Sequence, residues 1–122
     1  MLQVQSMMTV ADNTGAKTAQ IIKIPGASKP HYAVIGQIVK VAIKEASPTA
    51  QAKKGTMSLA VIVRTTHGVK RANGLKICFD DNACVLVKED KTPKGTRVFG
   101  SVAREVKDKG FNKIASLAAE VL

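Results

Sequence analysis

The sequence predicts a mainly β protein: a small antiparallel β-barrel followed by short helices. Three observations carry this. Five or six short apolar segments are separated by strong turn signals. A continuous apolar run, Leu59-Ala-Val-Ile-Val63, is too short for a free-standing helix, and its β-branched Val61, Ile62 and Val63 favour a strand covered on both faces. The apolar period then changes towards that of a helix after Gly100.

Taken in order, Val4, Met8 and Val10 lead into Ala11-Asp12-Asn13-Thr14-Gly15, a turn signal that ends the first strand. Ala16 to Ile24 resumes as a strand and stops at Pro25-Gly26, and Lys29-Pro30-His31-Tyr32 forms a loop. Gln37 to Ala46 alternates, with Val39, Val41 and Ile43 on a core face and Lys40, Ala42 and Lys44 on the other. Glu45 to Gly55 has no period, contains Pro48 and reads as a long exposed loop. Met57 to Val87 is the centre of the chain: two core strands, 59–63 and 83–87, joined by a basic crossing from Arg64 to Lys76. Asn73-Gly74 suits a tight hairpin reversal within that crossing, so Lys70, Arg71 and Lys76 project from a β-ribbon. Lys88 to Gly95 is a polar loop. Val102 with Val106 marks a short turn of helix before Gly110, and Phe111, Ile114, Leu117, Ala118 and Val121 are spaced as one face of a last helix.

A chain of 122 residues is long enough to bury a core of its own, and it reads as one domain, with the barrel at about 1–100 and the helical segment at about 101–122. Nineteen Lys and Arg against nine Asp and Glu give a formal charge of +10, which self-repels unless an anionic partner neutralises it. Nucleic acid is the leading partner. An anionic membrane is disfavoured, because no basic amphipathic helix with large apolar anchors is present and the longest apolar run is far below a span. The N-terminus has no basic region leading into an apolar stretch, so it does not read as a signal peptide. Cys78 and Cys84 lie within apolar strand sequence and are expected as small buried hydrophobes in a reducing compartment. On one extended strand they would lie about 20 Å apart, too far for a disulfide, and only a reversal at Asp80-Asp81-Asn82 could bring them together. With only these cysteines and His31 and His67 in unrelated loops, no zinc site is expected, and nothing points to a cofactor.

No catalytic constellation emerges. Asp80 and Asp81 are adjacent, so on an extended chain they point opposite ways, and Asp-Asp-Asn at a strand break reads as a turn. Gly95 and Gly100 lack the strand-to-helix context of a phosphate loop. The functional signal is charge. From Lys40 to Lys76 there are eight basic residues, Lys40, Lys44, Lys53, Lys54, Arg64, Lys70, Arg71 and Lys76, against the single acid Glu45. Spread over a strand, a loop and a ribbon, they suit several duplex phosphates at once rather than one small anion. Arg64, Arg71, Arg97 and Arg104 add forked donors that lysine cannot reproduce. At 3% aromatic content, a base-stacking platform is not expected.

Five ordered strings, Val10-Ala-Asp-Asn-Thr-Gly-Ala16, Val63-Arg-Thr65, Phe79-Asp-Asp-Asn-Ala-Cys-Val-Leu86, Gly95-Thr-Arg-Val-Phe-Gly100 and Lys113-Ile-Ala-Ser-Leu-Ala118, resemble the universal large-subunit ribosomal protein fourteen family from end to end. The resemblance implies a five-stranded barrel with a projecting basic hairpin and short C-terminal helices. It also implies binding to large-subunit rRNA at the subunit interface, beside ribosomal proteins three and nineteen. The rRNA-binding set is then Lys40, Lys44, Lys53, Lys54, Arg64, Lys70, Arg71, Lys76 and Arg104. One bridge to small-subunit rRNA falls on Lys44, Glu45, Ser47 and Thr49, and another on Ser116, Leu117, Ala118 and Ala119. A ribosome-silencing factor would meet Thr96, Arg97 and Lys113.

The departures carry expectations too. Lys29-Pro30-His31 replaces the Arg pair of many bacterial members, and the bridge loop Ser47-Pro-Thr-Ala-Gln-Ala carries fewer charges than usual. The tail Lys107-Asp-Lys-Gly-Phe-Asn-Lys-Ile resembles mitochondrial members more than bacterial ones, which favours a mitochondrial ribosome over one in a bacterial cytoplasm. Two other classes remain open. A free-standing RNA-binding regulator would need exposed aromatics, and of Tyr32, Phe79, Phe99 and Phe111 three lie in apolar strand or helix patterns. A small hydrolase would have to use Asp80 or Asp81.

Overall fold

Strands β1 (Met7–Val10), β2 (Ala16–Lys23), β3 (Ile38–Ala46), β4 (Met57–Arg64) and β7 (Ala83–Val87) close a barrel in that order. The structure is a computed structural model that describes residues 2–24, 32–48 and 53–122. The expected loop Lys29-Pro30-His31, the stop at Pro25-Gly26 and the bridge position Thr49 lie outside the described residues. Between β4 and β7 the chain makes a small hairpin of β5 (Val69–Lys70) and β6 (Lys76–Ile77). After the barrel come β8 (Val98–Val102), helix α1 (Arg104–Asp108), helix α2 (Asn112–Leu117) and β9 (Ala118–Val121).

The mainly β class, the five-stranded barrel and the two short helices agree with the sequence. The barrel is not antiparallel throughout. Four pairings are, but β1 meets β7 in parallel, with Thr9 opposite Ala83 and Val10 opposite Cys84. Parity requires this: strands that alternate direction around a ring of odd number must leave one parallel pair. The long connection that a parallel pair needs is the rest of the barrel itself, since β2, β3 and β4 all lie between β1 and β7 in the chain.

Alternation along β3 buries Val39, Val41 and Ile43 and leaves Lys40 and Lys44 in solvent. Ala60 to Val63 on β4 and all five residues of β7 are buried without alternation, because the barrel interior takes one face and a second layer takes the other. Val102, Val106 and Ile114, all fully buried, belong to that layer, and the Ala103 amide donates to the Val63 carbonyl at 3.2 Å. Each such aliphatic side chain contributes roughly 1.5–3 kcal/mol by leaving water.

Three expectations are corrected. The last helix ends at Leu117, and Ala118, Ala119, Glu120 and Val121 form β9 parallel to β8, with Val98 opposite Ala118 and Val102 opposite Val121. A six-residue helix has little cooperative stability, whereas the β8 edge offers a ladder, continued by Leu122 N–H to Val102 C=O at 2.9 Å. Cys78 is exposed, because it lies just past β6 at the hairpin base, with its thiol donating to the His67 carbonyl at 3.6 Å; Cys84 is the buried one. Phe99 is also exposed: its amide donates to the Ala11 carbonyl at 2.6 Å, while its ring faces solvent, opposite in direction to the buried Val98 beside it.

Candidate nucleic-acid interface

The basic surface is built on three devices. On β3, alternation alone puts Lys40 and Lys44 outside. In the loop before β4, Gly55 takes φ +85, its amide reaches the Ile43 carbonyl at 2.8 Å, and the Thr56 hydroxyl donates to the Lys53 carbonyl at 2.6 Å. That tight turn presents Lys53 and Lys54 side by side, both exposed. In the hairpin, Gly74 at φ +87 and the Asn73 side chain, which accepts from the Leu75 amide at 3.1 Å, make the reversal. Lys70 and Lys76 then stand directly opposite one another. A second like-charge pair, Lys23 opposite Lys40, joins β2 to β3. Facing cations repel, and an anion bridging them removes the penalty. Among the described residues the salt bridges are Arg64 with Asp81 and Arg71 with Glu105, so these lysines have no carboxylate partner.

At another part of the molecule, the Asp12–Gly15 turn gathers three segments. Asp12 is 4% exposed, and its carboxylate accepts from the Thr14 amide and hydroxyl at 3.2 and 2.6 Å and from the Leu86 amide at 3.0 Å. Asn13 then reaches out: its Oδ1 accepts from the Thr96 and Arg97 amides at 2.8 and 3.1 Å, and its Nδ2 donates to Thr96 Oγ1 at 2.8 Å. Gly95 fits beneath because a Cβ there would lie 2.5 Å from Asn13 Oδ1. The Ser47 amide donates to the Gly15 carbonyl at 2.9 Å, anchoring the end of the Lys44–Ser47 segment to the same turn. Pairing of Val98 with Ala118 brings the Ser116–Ala119 segment alongside Thr96 and Arg97.

The family model of ribosomal protein L14p/L23e matches residues 1–122. The chain belongs to the ribosomal protein L14p/L23e family. Members of this family are structural components of the large ribosomal subunit and, as a class, are not enzymes. Like other L14p/L23e proteins, the chain is therefore a ribosomal protein of the large subunit.

Within this L14p/L23e chain, two arginines of the charge-based set turn inward. Arg64 is 12% exposed; its Nε donates to Asp81 Oδ1 at 3.0 Å and its Nη1 to the Phe99 and Ser101 carbonyls at 2.9 and 3.0 Å. Arg71, half-buried, donates through Nη2 to Glu105 Oε1 at 3.1 Å and to the Leu122 carbonyl, fastening the hairpin to α1 and the chain's last strand. Arg104 remains exposed on α1. Asp81 serves as the ion-pair partner of Arg64, Asp80 is exposed, and His67 is exposed at the hairpin base. Ser116 is exposed with its hydroxyl on the Lys113 carbonyl at 2.8 Å; Thr96, Arg97, Lys113 and Ala119 are exposed, and Leu117 and Ala118 half-buried. Sequence reasoning missed Asn13 and Lys23. The first acts across 83 positions and the second through a strand register, and neither leaves a local signal.

Proposed function

We propose that the protein binds large-subunit rRNA through exposed cations and meets the small subunit through the end organised on the Asp12–Gly15 turn. The rRNA-facing set is Lys40, Lys44, Lys53, Lys54, Lys70, Lys76 and Arg104, joined by Lys23. Arg64 and Arg71 act by positioning β8 and the hairpin. The observation that carries the reading is the two pairs of facing like charges, Lys70 with Lys76 and Lys23 with Lys40, all exposed and, among the described residues, in no salt bridge. Each arrangement is unfavourable in the free protein and favourable beside phosphates.

On this reading Lys44, Glu45, Ser47 and Thr49 form one intersubunit bridge and Ser116 to Ala119 another. Thr96, Arg97 and Lys113 contact a ribosome-silencing factor, and ribosomal proteins three and nineteen are neighbours. The shared anchorage of these segments on Asp12, Asn13 and Gly15 supports treating them as one docking end. The resemblance of the 107–114 tail favours a mitochondrial ribosome.

The test is sucrose-gradient sedimentation of a tagged copy in native extract, at low and then dissociating magnesium. Retention with the large subunit under both conditions is expected. Recovery near the top of the gradient would instead support a free-standing RNA-binding regulator. With purified rRNA, Lys70→Ala and Lys76→Ala should each lower the slope of log affinity against log salt by about 0.7–0.9. A slope unmoved by both would remove the hairpin from the interface.

A further inference from the structure

The outer barrel face carries an apolar groove that the lysine reading does not use. Cross-strand register sets Lys40, Leu59 and Val87 in one row and Ala42 with Met57 in the next. Met57 is 62% exposed, and it stands beside the partly buried Leu59 rather than alone, so the two form an apolar patch. A groove of about 500 Å³ runs over Met57, Leu59 and Val87. Past Leu59 it continues into a second of about 620 Å³, floored by Val34, Ile38 and Phe111. Its rim is cationic: Lys40, Lys88 and Lys94 border the first part and Lys91 and Lys109 the second, with Glu89 the one acid lining either among the described residues.

The rim is held in place at a cost. Lys91 takes φ +69, the left-handed region that L side chains avoid, where glycine or asparagine would be the ordinary choice. The turn that imposes it is closed by Lys91 N–H to Lys88 C=O at 2.9 Å and Lys88 N–H to Thr92 C=O at 2.8 Å. Asp90 is consumed inside that turn, accepting from the Thr92 hydroxyl and amide at 2.6 and 3.2 Å. Asp90 therefore braces the turn that carries Lys88 and Lys91, its charge directed at Thr92, and Glu89 is the acid that lines the groove beside the three lysines of its rim.

We propose that this groove seats a short extended protein segment that presents apolar side chains to Met57, Leu59 and Ile38 and carboxylates to Lys88, Lys91 and Lys94. The inference rests on the ribosomal reading only in taking that partner from the assembled large subunit. RNA fits less well. A phosphate backbone would satisfy the rim but desolvate the floor for no return, and among the described residues the floor's one ring, Phe111, is buried and offers no face on which a base could stack. β4 is flanked by β3 and β7, so the segment cannot add as a strand; it binds through side chains, with charge complementarity setting its composition.

Two crosslinking measurements on purified large subunits test this. A carbodiimide applied to subunits holding the unaltered protein joins amines only to carboxylates in contact. It should couple Lys88, Lys91 or Lys94 to Asp or Glu of another protein, and absence of any such amide would overturn the proposal. Met57→p-benzoylphenylalanine, photolysed in the same particles, should crosslink to that same segment. Crosslinking to rRNA, or to a segment without acids, overturns it equally. Reversing Lys88 and Lys91 to glutamate should cut the photocrosslink about fivefold. Lys91→Gly should also weaken it while leaving thermal stability undiminished, which a purely structural role for Lys91 would not produce. Failure to find the tagged protein in the large-subunit peak refutes the ribosomal reading; its presence there without these crosslinks refutes only the groove.

Discussion

Arg64 offers the sharpest separation of a structural arginine from a phosphate ligand. Its guanidinium holds Asp81 and two carbonyls of β8, tying the end of β4 to a strand that lies outside the barrel. Gly100 lies at φ +77 beneath it, where a Cβ would come 2.6 Å from Nη1. Arg64→Met keeps the apolar stem and deletes the fork. Asp81 is 43% exposed and can return to water, so the ion pair contributes no more than about 1 kcal/mol. The two charge-assisted bonds to partly exposed carbonyls contribute about 1 kcal/mol each, at the low end for such bonds. A loss of about 3 kcal/mol is expected, a large share of the ~5–15 kcal/mol that holds a typical domain together. In urea unfolding this appears as a lower midpoint at constant m, and in a thermal scan as a fall of about 10 °C. Arg64→Lys should recover about a third of it. The slope of rRNA affinity against salt should stay at its wild-type value. Stability within about 0.5 kcal/mol of wild type together with a reduced salt slope would refute the reasoning and return Arg64 to the rRNA-facing set.

Gly68→Ala should unfasten the hairpin base, because φ is +80 and the new Cβ would lie 2.2 Å from the Ile77 carbonyl; a cost above about 1 kcal/mol is expected, with amide exchange accelerated across 69–77 before the barrel is affected. The Thr92 hydroxyl and amide hold the Asp90 carboxyl below its ordinary 3.8. The stabilisation linked to it is therefore present above the unfolded value and lost as pH falls through the lower folded value. An NMR titration of Asp90 should show that depressed midpoint and its return upward in Thr92→Val. Burial, and secondarily the Asp12 charge, push the Cys84 thiol up, whereas Cys78 is exposed, so a thiol reagent at neutral pH should modify Cys78 alone until the protein is unfolded. Lys91→Gly, relieving the left-handed residue, should leave the unfolding midpoint unchanged or raise it by the equivalent of about 0.5 kcal/mol.

What could be read from the chain alone was what local pattern determines. The alternation Val39, Val41, Ile43 fixes both the strand and its inward face, and Asn73-Gly74 fixes a reversal that needs positive φ at Gly74. The two apolar runs at β4 and β7 announce burial on both sides even before their covering layer is known. The last strand was illegible because Ile114, Leu117, Ala118 and Val121 satisfy a helical spacing equally well, and the β8 edge that decides otherwise lies some twenty residues away. Counting charge found the lysines but could not tell Arg64 from Lys70, since the difference is the distant Asp81 and two β8 carbonyls. Nor could it show that Lys23 faces Lys40, which depends on a register containing irregularities. The candidate site was thus visible as a composition, and its geometry came from pairings between remote segments.

The parallel seam between β1 and β7 bears on how the chain comes off its own ribosome. Thr9 waits for Ala83, more than seventy residues later, so the barrel cannot seal until both core runs and the hairpin between them have been synthesised. Until then the β1 edge is open and the inward aliphatic face of β2 and β3 has no lid. Loop closure over that separation is entropically slow compared with the local β2–β3 and β3–β4 pairings. A premature stop or a pause before Ala83 would therefore leave a sticky three- or four-stranded sheet carrying a large positive charge, a species prone to pair with other chains or with stray RNA. The seam that Thr9 makes with Ala83 is thus the last part of the barrel that can form as the chain emerges.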